Sequence, residues 1–194
     1  LVVEKSIHDQ VVNEIVRRAK QIKLGGPGNS DAETGPLISA NHLSKVQEYV
    51  DKGVAEGAKL LVGGKRLTDG DYAKGNFFPP TVLVSCTSKM SCVQDESFGP
   101  IITVETFESE AQAIEMANGV EYGLASSVWT KDHGRAMRMA KAFDFGCVWI
   151  NTHIPMVAEM PHGGFKHSGY GKDLSSYGFE DYTRIKHVMT NLQA

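Results

Sequence analysis

A carboxylate and an aromatic ring stand two residues apart just before a Gly-Pro step, in residues 94–100. Glu96 carries the carboxylate and Phe98 carries the ring. An ionised carboxylate can accept hydrogen bonds from both hydroxyls of a vicinal diol, and an aromatic ring can cover a flat ligand. A solvated acidic turn accounts for the same residues, so this pattern alone leaves both interpretations open.

A glycine-rich run, residues 163–173, matches neither of the common phosphate-binding patterns. A Walker loop needs Gly-Lys followed by Ser or Thr, whereas Gly171 and Lys172 precede Asp173. The dinucleotide fingerprint needs a third glycine at the position that Leu174 occupies. We therefore interpret the run as a tight structural loop whose glycines adopt positive φ angles.

The candidate thiol nucleophiles are Cys86, Cys92 and Cys147. A nucleophilic thiol needs a lowered pKa or an adjacent base, and the sequence around these cysteines offers neither. We therefore expect all three to be structural. Their spacing also lacks the C-x-x-C pattern of zinc sites, and the histidines form no H-x-x-x-H pair. An odd number of cysteines fits a reducing compartment.

Charge and hydropathy argue against two classes of partner. The 20 basic and 23 acidic residues give a formal net charge of -3, without the basic face that nucleic acid requires. No apolar run approaches the roughly 18 residues of a membrane span. The first residues also lack the basic start and apolar stretch of a signal peptide. We expect a cytoplasmic globular protein, and because the sequence begins at Leu1 and not at methionine, we expect it to be a segment of a longer one.

Helical and extended patterns alternate along the chain and must position these residues. A helix is predicted over residues 6–22 with Ser6 as its cap. A second helix is predicted over residues 39–56, with Leu43, Val46, Val50 and Val54 facing inward. Two more are predicted, one after a capping box at Ser109 and Gln112 and one around Ala136–Phe143. Extended segments are predicted at 60–62, 77–84, 101–107, 124–129 and 147–150. The alternation is typical of an α/β fold with a largely parallel sheet and flanking helices. Residues 185–189 are predicted to form a last strand, either at the edge of a sheet or paired with a second subunit.

Several ordered motifs resemble those of the aldehyde dehydrogenase superfamily. Residues 96–100 resemble its E-x-F-G-P motif, and residues 161–171 resemble its P-x-G-G-x-K-x-S-G-x-G loop. The runs GPLI at 35–38, YGLA at 122–125 and CVWIN at 147–151 occur in the family's order, and residues 182–188 resemble its closing strand. The resemblance covers essentially the whole chain. It implies that residues 1–180 belong to the catalytic domain and that residues 181–194 form a C-terminal oligomerisation strand.

The resemblance implies NAD(P)-dependent oxidation of an aldehyde to a carboxylic acid. In that family a cysteine thiolate attacks the aldehyde, the hemithioacetal passes hydride to the nicotinamide, and a glutamate activates water to release the acid. Glu96 would bind the nicotinamide ribose hydroxyls and Phe98 would pack near the nicotinamide ring. His42 matches a further ribose contact, with a capping or surface role as the alternative.

The family's nucleophile, general base and Rossmann-type cofactor domain lie upstream of the matched region. By resemblance, this chain alone is therefore expected to be inactive. The residue that discriminates NAD from NADP lies in that upstream domain, so either cofactor fits. The family also oligomerises, which implies a homodimer or homotetramer. The alternative function is a non-catalytic assembly or binding module derived from the same fold.

The glycine-rich loop has two further roles by resemblance. Asp173 stands where betaine-type relatives carry a glutamate with a supporting charge-relay role, although its side chain is shorter. The backbone carbonyls of Lys166 and Gly169 match a K⁺ site of some of those enzymes. A simple turn is the alternative interpretation for this second pair.

The segment before that loop resembles γ-aminobutyraldehyde dehydrogenases, which are close to betaine aldehyde dehydrogenases. By position, Ile154, Pro155 and Met156 would line the aldehyde tunnel. Glu159 would favour a cationic aminoaldehyde such as 4-aminobutyraldehyde or betaine aldehyde, or is a surface carboxylate. No arginine occurs between residues 138 and 184, so the bidentate clamp expected for succinate semialdehyde is absent there.

Overall fold

The computed structural model describes residues 1–193, and the chain divides into two compact units, residues 1–116 and residues 117 onward. The first unit contains β1 (Val2–Glu4), a 3-10 helix (Lys5–Ile7), α1 (His8–Gln21), α2 (Ala40–Ala55), β2 (Lys59–Val62), a 3-10 helix (Gly70–Lys74), β3 (Thr81–Val84), α3 (Ser91–Gln94), β4 (Ile101–Thr103), β5 (Glu105–Phe107) and most of α4 (Glu110–Asn118). The second contains β6 (Tyr122–Gly123), β7 (Ala125–Val128), α5 (His133–Ala142), β8 (Cys147–Ile150), β9 (Phe165–Lys166) and α6 (Ser175–Asp181). Among the helices described in residues 1–193, none has the length and apolar character needed to cross a membrane.

The strands form small sheets and not one continuous sheet. In the first unit β3 pairs antiparallel with β2 and parallel with β4, and β1 pairs parallel with β5. In the second unit β7 and β8 are parallel, and β6 and β9 are antiparallel. Parallel pairings therefore predominate among the named strands of the described residues, and the predicted α/β class is confirmed.

Helix α2 follows the sequence prediction closely. The Ser39 hydroxyl accepts a hydrogen bond from the His42 backbone N–H, and Gly57 at φ 111° follows the last turn. Leu43, Val46 and Val50 are buried as predicted, and they form one core cluster with side chains that include Leu83 and Phe78. Val54 is 43% exposed, contrary to the prediction. The buried stripe ends at Gly53, where an added Cβ would lie 2.9 Å from the Cys92 Sγ.

The predicted extended segments are shorter in the structure. Residues 77–80 are not a strand, because Pro79 and Pro80 have no N–H to donate to a ladder. The segment 101–107 divides at Val104, where the chain changes its partner from β3 to β1. Leu60 is 36% exposed and not buried, since β2 is an edge strand. Ser6 does not cap α1, because its hydroxyl donates to the Glu4 carboxylate.

The C-terminal segment is neither helix nor strand from residue 183 to residue 191. The strand predicted at 185–189 is therefore not formed within this chain. A strand requires a hydrogen-bonded partner, and Ile185 is 99% exposed here. Pairing of this segment with a second subunit stays a prediction.

Candidate functional site

Glu96 and Phe98 both lie at the surface, on the loop between α3 and β4. Phe98 is 77% exposed and has a φ of 52°, in the left-handed region. That conformation costs an L-residue roughly 1–2 kcal/mol, so it persists only where neighbouring contacts impose it. The Glu96 carboxylate and the Phe98 ring are therefore both open to solvent, and their contact with a diol and a flat ring stays a prediction.

Three contacts impose this loop conformation. The Gly99 N–H donates to the Ser97 Oγ at 3.2 Å, and the Thr81 N–H of β3 donates to the Pro100 carbonyl at 2.8 Å. A Cβ on Gly99 would lie 2.6 Å from a Val46 methyl carbon, so only glycine lets the loop approach α2 so closely. Ser97 and Val46 were not among the predicted site residues, because only the tertiary structure shows their roles.

His42 is brought to the same loop from the first turn of α2. Its Nε2 lies 3.3 Å from the Ser97 carbonyl oxygen, between Glu96 and Phe98 in sequence. Its Nδ1 is buried and has no hydrogen-bond partner among the described residues. The helix cap that involves His42 uses its backbone N–H and not its side chain. The three residues predicted to contact the cofactor therefore lie close together. Glu96 and Phe98 are on the loop, and His42 is at the N-terminal end of α2, against that loop.

The glycine-rich loop of the second unit is shaped mainly by close backbone approach. Gly169 has a positive φ of 92°, as predicted, but the other glycines in residues 163–171 do not. A Cβ on Gly163 would overlap the Gly171 carbonyl, and one on Gly164 would lie 2.5 Å from the Ser168 carbonyl. A Cβ on Gly146, which directly precedes β8, would overlap the Gly163 carbonyl. At Gly146, Gly163 and Gly164, glycine is therefore required because a Cβ would collide with neighbouring backbone, and not because of a positive φ.

Two lysine side chains also fix this loop. The Lys166 ammonium donates to the Val120 and Asn118 carbonyls at 2.8 and 3.3 Å and lies 5.2 Å from the Phe145 ring centroid. The Lys172 ammonium donates to the Gly164 carbonyl at 2.9 Å. Sequence reasoning considered only the backbone of Lys166 and missed both side chains.

The two carbonyls predicted to bind K⁺ belong to one tight turn. The Gly169 N–H donates to the Lys166 carbonyl at 3.2 Å, and Lys166 itself has a φ of 51°. A carbonyl oxygen has two lone pairs, and oxygen is a suitable ligand for a hard cation. The donor set is thus compatible with a cation and also with the simple turn.

Asp173 lies at a groove beside this loop. Its backbone exchanges two hydrogen bonds with His162, at 2.9 and 2.7 Å, and its side chain is exposed. Gly163, Tyr170 and Tyr182 line the same groove. The Asp173 carboxylate is therefore accessible to solvent in the second unit.

The segment predicted to line the aldehyde tunnel follows β8 and is exposed. Ile154 and Met156 are 62% and 57% exposed, and Pro155 and Glu159 are exposed as well. Ile154 has a φ of 81°, which is unusual for a β-branched residue. The Trp149 indole N–H donates to the Pro155 carbonyl at 2.9 Å and so ties this segment to β8.

The three cysteines are free thiols without the features of a nucleophile. Burial is the main cause that raises the pKa of Cys92 to about 12, and the neighbouring Cys86 adds to it. Burial also raises the pKa of Cys86 and of Cys147. Raised pKa values are those of buried, unactivated thiols, and the structural role of these cysteines stays a prediction.

We expect Cys92 in the folded chain to react with iodoacetamide at pH 8 at least tenfold more slowly than in the unfolded chain. A pKa near 12 leaves about a thousandfold less thiolate at pH 8 than an ordinary thiol has. The rate should rise with pH towards 12, because the thiolate is the reacting form. Mass spectrometry of peptides after timed alkylation measures each cysteine, with alkylation in guanidinium chloride as the control. Equal rates in folded and unfolded chains would contradict the assignment.

The sequence pattern of the aldehyde dehydrogenase family matches residues 1–188, and the chain belongs to that family. A curated relative, betaine aldehyde dehydrogenase from Bacillus subtilis (strain 168), is 50% identical over 191 residues. The match covers 98% of this chain and 39% of that relative, so the chain spans well under half of the relative's length.

Solved structures agree with this comparison. A double mutant of Staphylococcus aureus betaine aldehyde dehydrogenase in complex with NAD⁺ has a TM-score of 0.95 and 44% identity, covering 100% of this chain and 39% of that one. Another structure of the S. aureus enzyme with NAD⁺ has a TM-score of 0.89 and 47% identity, covering 93% of this chain and 36% of that one.

Proposed function

We propose that this chain is the C-terminal part of the catalytic domain of an NAD(P)-dependent aldehyde dehydrogenase. In this proposal residues 1–180 complete the catalytic domain and residues 181–194 form an oligomerisation strand. The observation that carries the proposal is the exposed carboxylate of Glu96 beside the strained, exposed ring of Phe98, in a chain that belongs to this family.

The cofactor, when bound, supplies the acceptor for the hydride of the substrate. Glu96 accepts hydrogen bonds from the ribose hydroxyls and Phe98 covers the nicotinamide side of the site. The His42 imidazole, predicted as a further ribose contact, lies within hydrogen-bonding distance of the Ser97 carbonyl between them. NAD is supported by the relatives of known structure that hold NAD⁺. NADP remains compatible with these residues, because none of them contacts the adenosine 2′ position in this proposal.

The nucleophile and the general base come from sequence outside this chain. The raised pKa values of Cys86, Cys92 and Cys147 support this proposal, because none of these thiols is activated. The chain alone is therefore expected to be inactive. In the same proposal the Asp173 carboxylate would contribute a supporting charge, and the Lys166 and Gly169 carbonyls would hold K⁺, with a simple turn as the alternative.

An aminoaldehyde such as 4-aminobutyraldehyde or betaine aldehyde is the proposed substrate. The apolar side chains of Ile154, Pro155 and Met156 suit a polymethylene spacer, and the exposed Glu159 carboxylate suits a cationic end group. The relatives named above are betaine aldehyde dehydrogenases, which supports a small cationic aldehyde.

The proposed assembly is a homodimer or homotetramer that uses the C-terminal segment. Large side chains there are strongly exposed, among them Tyr182 at 89%, Ile185 at 99% and Leu192 at 91%. Burial of these side chains in a subunit interface would remove them from water.

A chimeric enzyme tests the proposal. This chain replaces the matching segment of the B. subtilis relative, and the chimera is assayed with 4-aminobutyraldehyde, betaine aldehyde and succinate semialdehyde, with NAD⁺ and with NADP⁺. We expect activity with the two cationic aldehydes, little with succinate semialdehyde, and none from this chain alone. A chimera that folds and assembles, by circular dichroism and size exclusion, but oxidises no aldehyde would favour the non-catalytic assembly module.

A further inference from the structure

We propose that His42 is a positioning residue: its imidazole holds the main chain of Ser97, so that the side chains of Glu96 and Phe98 stay in one orientation. The proposal rests on the proposed function for the role of Glu96 and Phe98. It goes beyond a direct contact with the cofactor, because it predicts an effect of His42 on the loop when no cofactor is present.

The hydrogen bond defines the state of the imidazole. A carbonyl oxygen can only accept, so Nε2 must carry the proton that it donates to the Ser97 oxygen 3.3 Å away. In the neutral ring Nδ1 is then the unprotonated nitrogen, and it is buried. Nε2 therefore faces the Ser97 carbonyl and Nδ1 is shielded from solvent, so the imidazole is held against the loop.

The His42 hydrogen bond acts on the residue next to the strained one. Phe98 lies in the left-handed region at φ 52°, which an aromatic residue adopts only under constraint. The Ser97 carbonyl is part of the peptide unit that leads into Phe98, so a bond to this oxygen restricts rotation about the φ of Phe98. Gly99 against Val46 restrains the other side of Phe98.

Loss of the His42 bond leaves the loop with fewer restraints. Phe98 can then relax to a negative φ, which redirects its ring and also the chain direction at Glu96. The helix itself keeps its cap, because Ser39 bonds the backbone N–H of residue 42 and not its side chain. The effect is therefore expected in the loop and not in α2.

Hydrogen exchange followed by mass spectrometry on the full 194-residue chain tests this hydrogen bond without cofactor. In H42A we expect peptides that cover residues 96–101 to exchange about five- to tenfold faster, the factor that corresponds to loss of one ordinary hydrogen bond. In H42Q the amide N–H₂ can donate to the same carbonyl, so exchange should return towards the wild-type rate. The matched control is H133A, at an exposed histidine of the second unit, which should leave this loop unchanged.

Two outcomes of the exchange experiment would overturn the proposal. Unchanged loop exchange in H42A means that His42 does not hold the loop. An equal acceleration throughout α2 means that the variant disturbs the helix and has no specific effect on the loop.

Kinetics in the chimeric enzyme give the functional test. We expect H42A to raise the KM for NAD⁺ about five- to tenfold and to leave the KM for the aldehyde unchanged, with partial recovery in H42Q. If H42A leaves the KM for NAD⁺ unchanged in an active chimera, the positioning role of His42 is overturned and the proposed function is not. A folded but inactive wild-type chimera instead contradicts the proposed function, and the exchange experiment still decides whether His42 holds the loop.

Discussion

Replacement of Gly146 by alanine is expected to destabilise the second unit by about 3 kcal/mol or more. The added Cβ would overlap the Gly163 carbonyl oxygen, and neither backbone can move freely. Gly146 is fixed by its N–H, which donates to the Gly123 carbonyl at 2.9 Å, and Gly163 lies in the loop fixed by the two lysines. Urea denaturation followed by tryptophan fluorescence measures the change, because both tryptophans of the chain, Trp129 and Trp149, belong to this unit.

Gly171 provides a matched control in the same loop. A Cβ on Gly171 meets no atom within 4 Å, and its φ is not positive. G171A should therefore change the free energy of unfolding by less than about 1 kcal/mol, in the stabilising direction that a Gly-to-Ala change gives at an unstrained position. Equal denaturation midpoints for G146A and G171A would show that the backbone contact at Gly146 is not required.

Replacement of Glu96 by alanine is expected to reduce catalytic efficiency with NAD⁺ by about ten- to a hundredfold in the chimeric enzyme. A carboxylate that accepts hydrogen bonds contributes about 1.5–3 kcal/mol for each charged bond, which corresponds to this factor. Steady-state KM for NAD⁺ and single-turnover formation of NADH measure the loss. E96Q keeps an acceptor oxygen without the charge, so its catalytic efficiency with NAD⁺ should lie between those of E96A and the wild-type chimera.

Asp95 is the control for charge alone. It is also an exposed carboxylate and directly precedes Glu96. We expect D95A to retain cofactor use, because a ribose contact depends on the position of the carboxylate and not on the net charge of the loop. Identical steady-state and single-turnover kinetics for E96A and the wild-type chimera would remove Glu96 from the cofactor site.

The sequence predicted those elements whose signals are local. Helix α2 has a capping serine, an apolar stripe and a terminal glycine within one stretch, so its bounds could be predicted nearly to the residue. The break at Val104 could not be predicted, because it arises from a change of pairing partner, and a partner strand is not visible in the local pattern. The exposure of Val54 likewise depends on which residue faces Cys92.

In the candidate site, too, the features with a local sequence signal could be predicted and those that depend on tertiary contacts could not. Glu96 and Phe98 could be proposed from a short motif that resembles one of the family, and the structure places both at the surface. The contact between His42 and Ser97 joins residues 55 positions apart, and no periodicity indicates it. The directions of the Lys166 and Lys172 side chains could not be predicted either, because they depend on where Val120 and Gly164 place their carbonyls.

The left-handed backbone at Phe98 and Ile154 has a consequence for any attempt to make this protein more heat-resistant. Glycine or asparagine would occupy these positions with less strain, and relief of strain at such a site is worth on the order of 1 kcal/mol. Laboratory evolution that selects only for thermal tolerance should therefore replace Phe98 and Ile154 early. Those replacements would remove the ring and the apolar side chain from the proposed cofactor and aldehyde contacts. In the chimeric enzyme the more stable variants would then be the less active ones, so a selection carried out there must screen for turnover in every round.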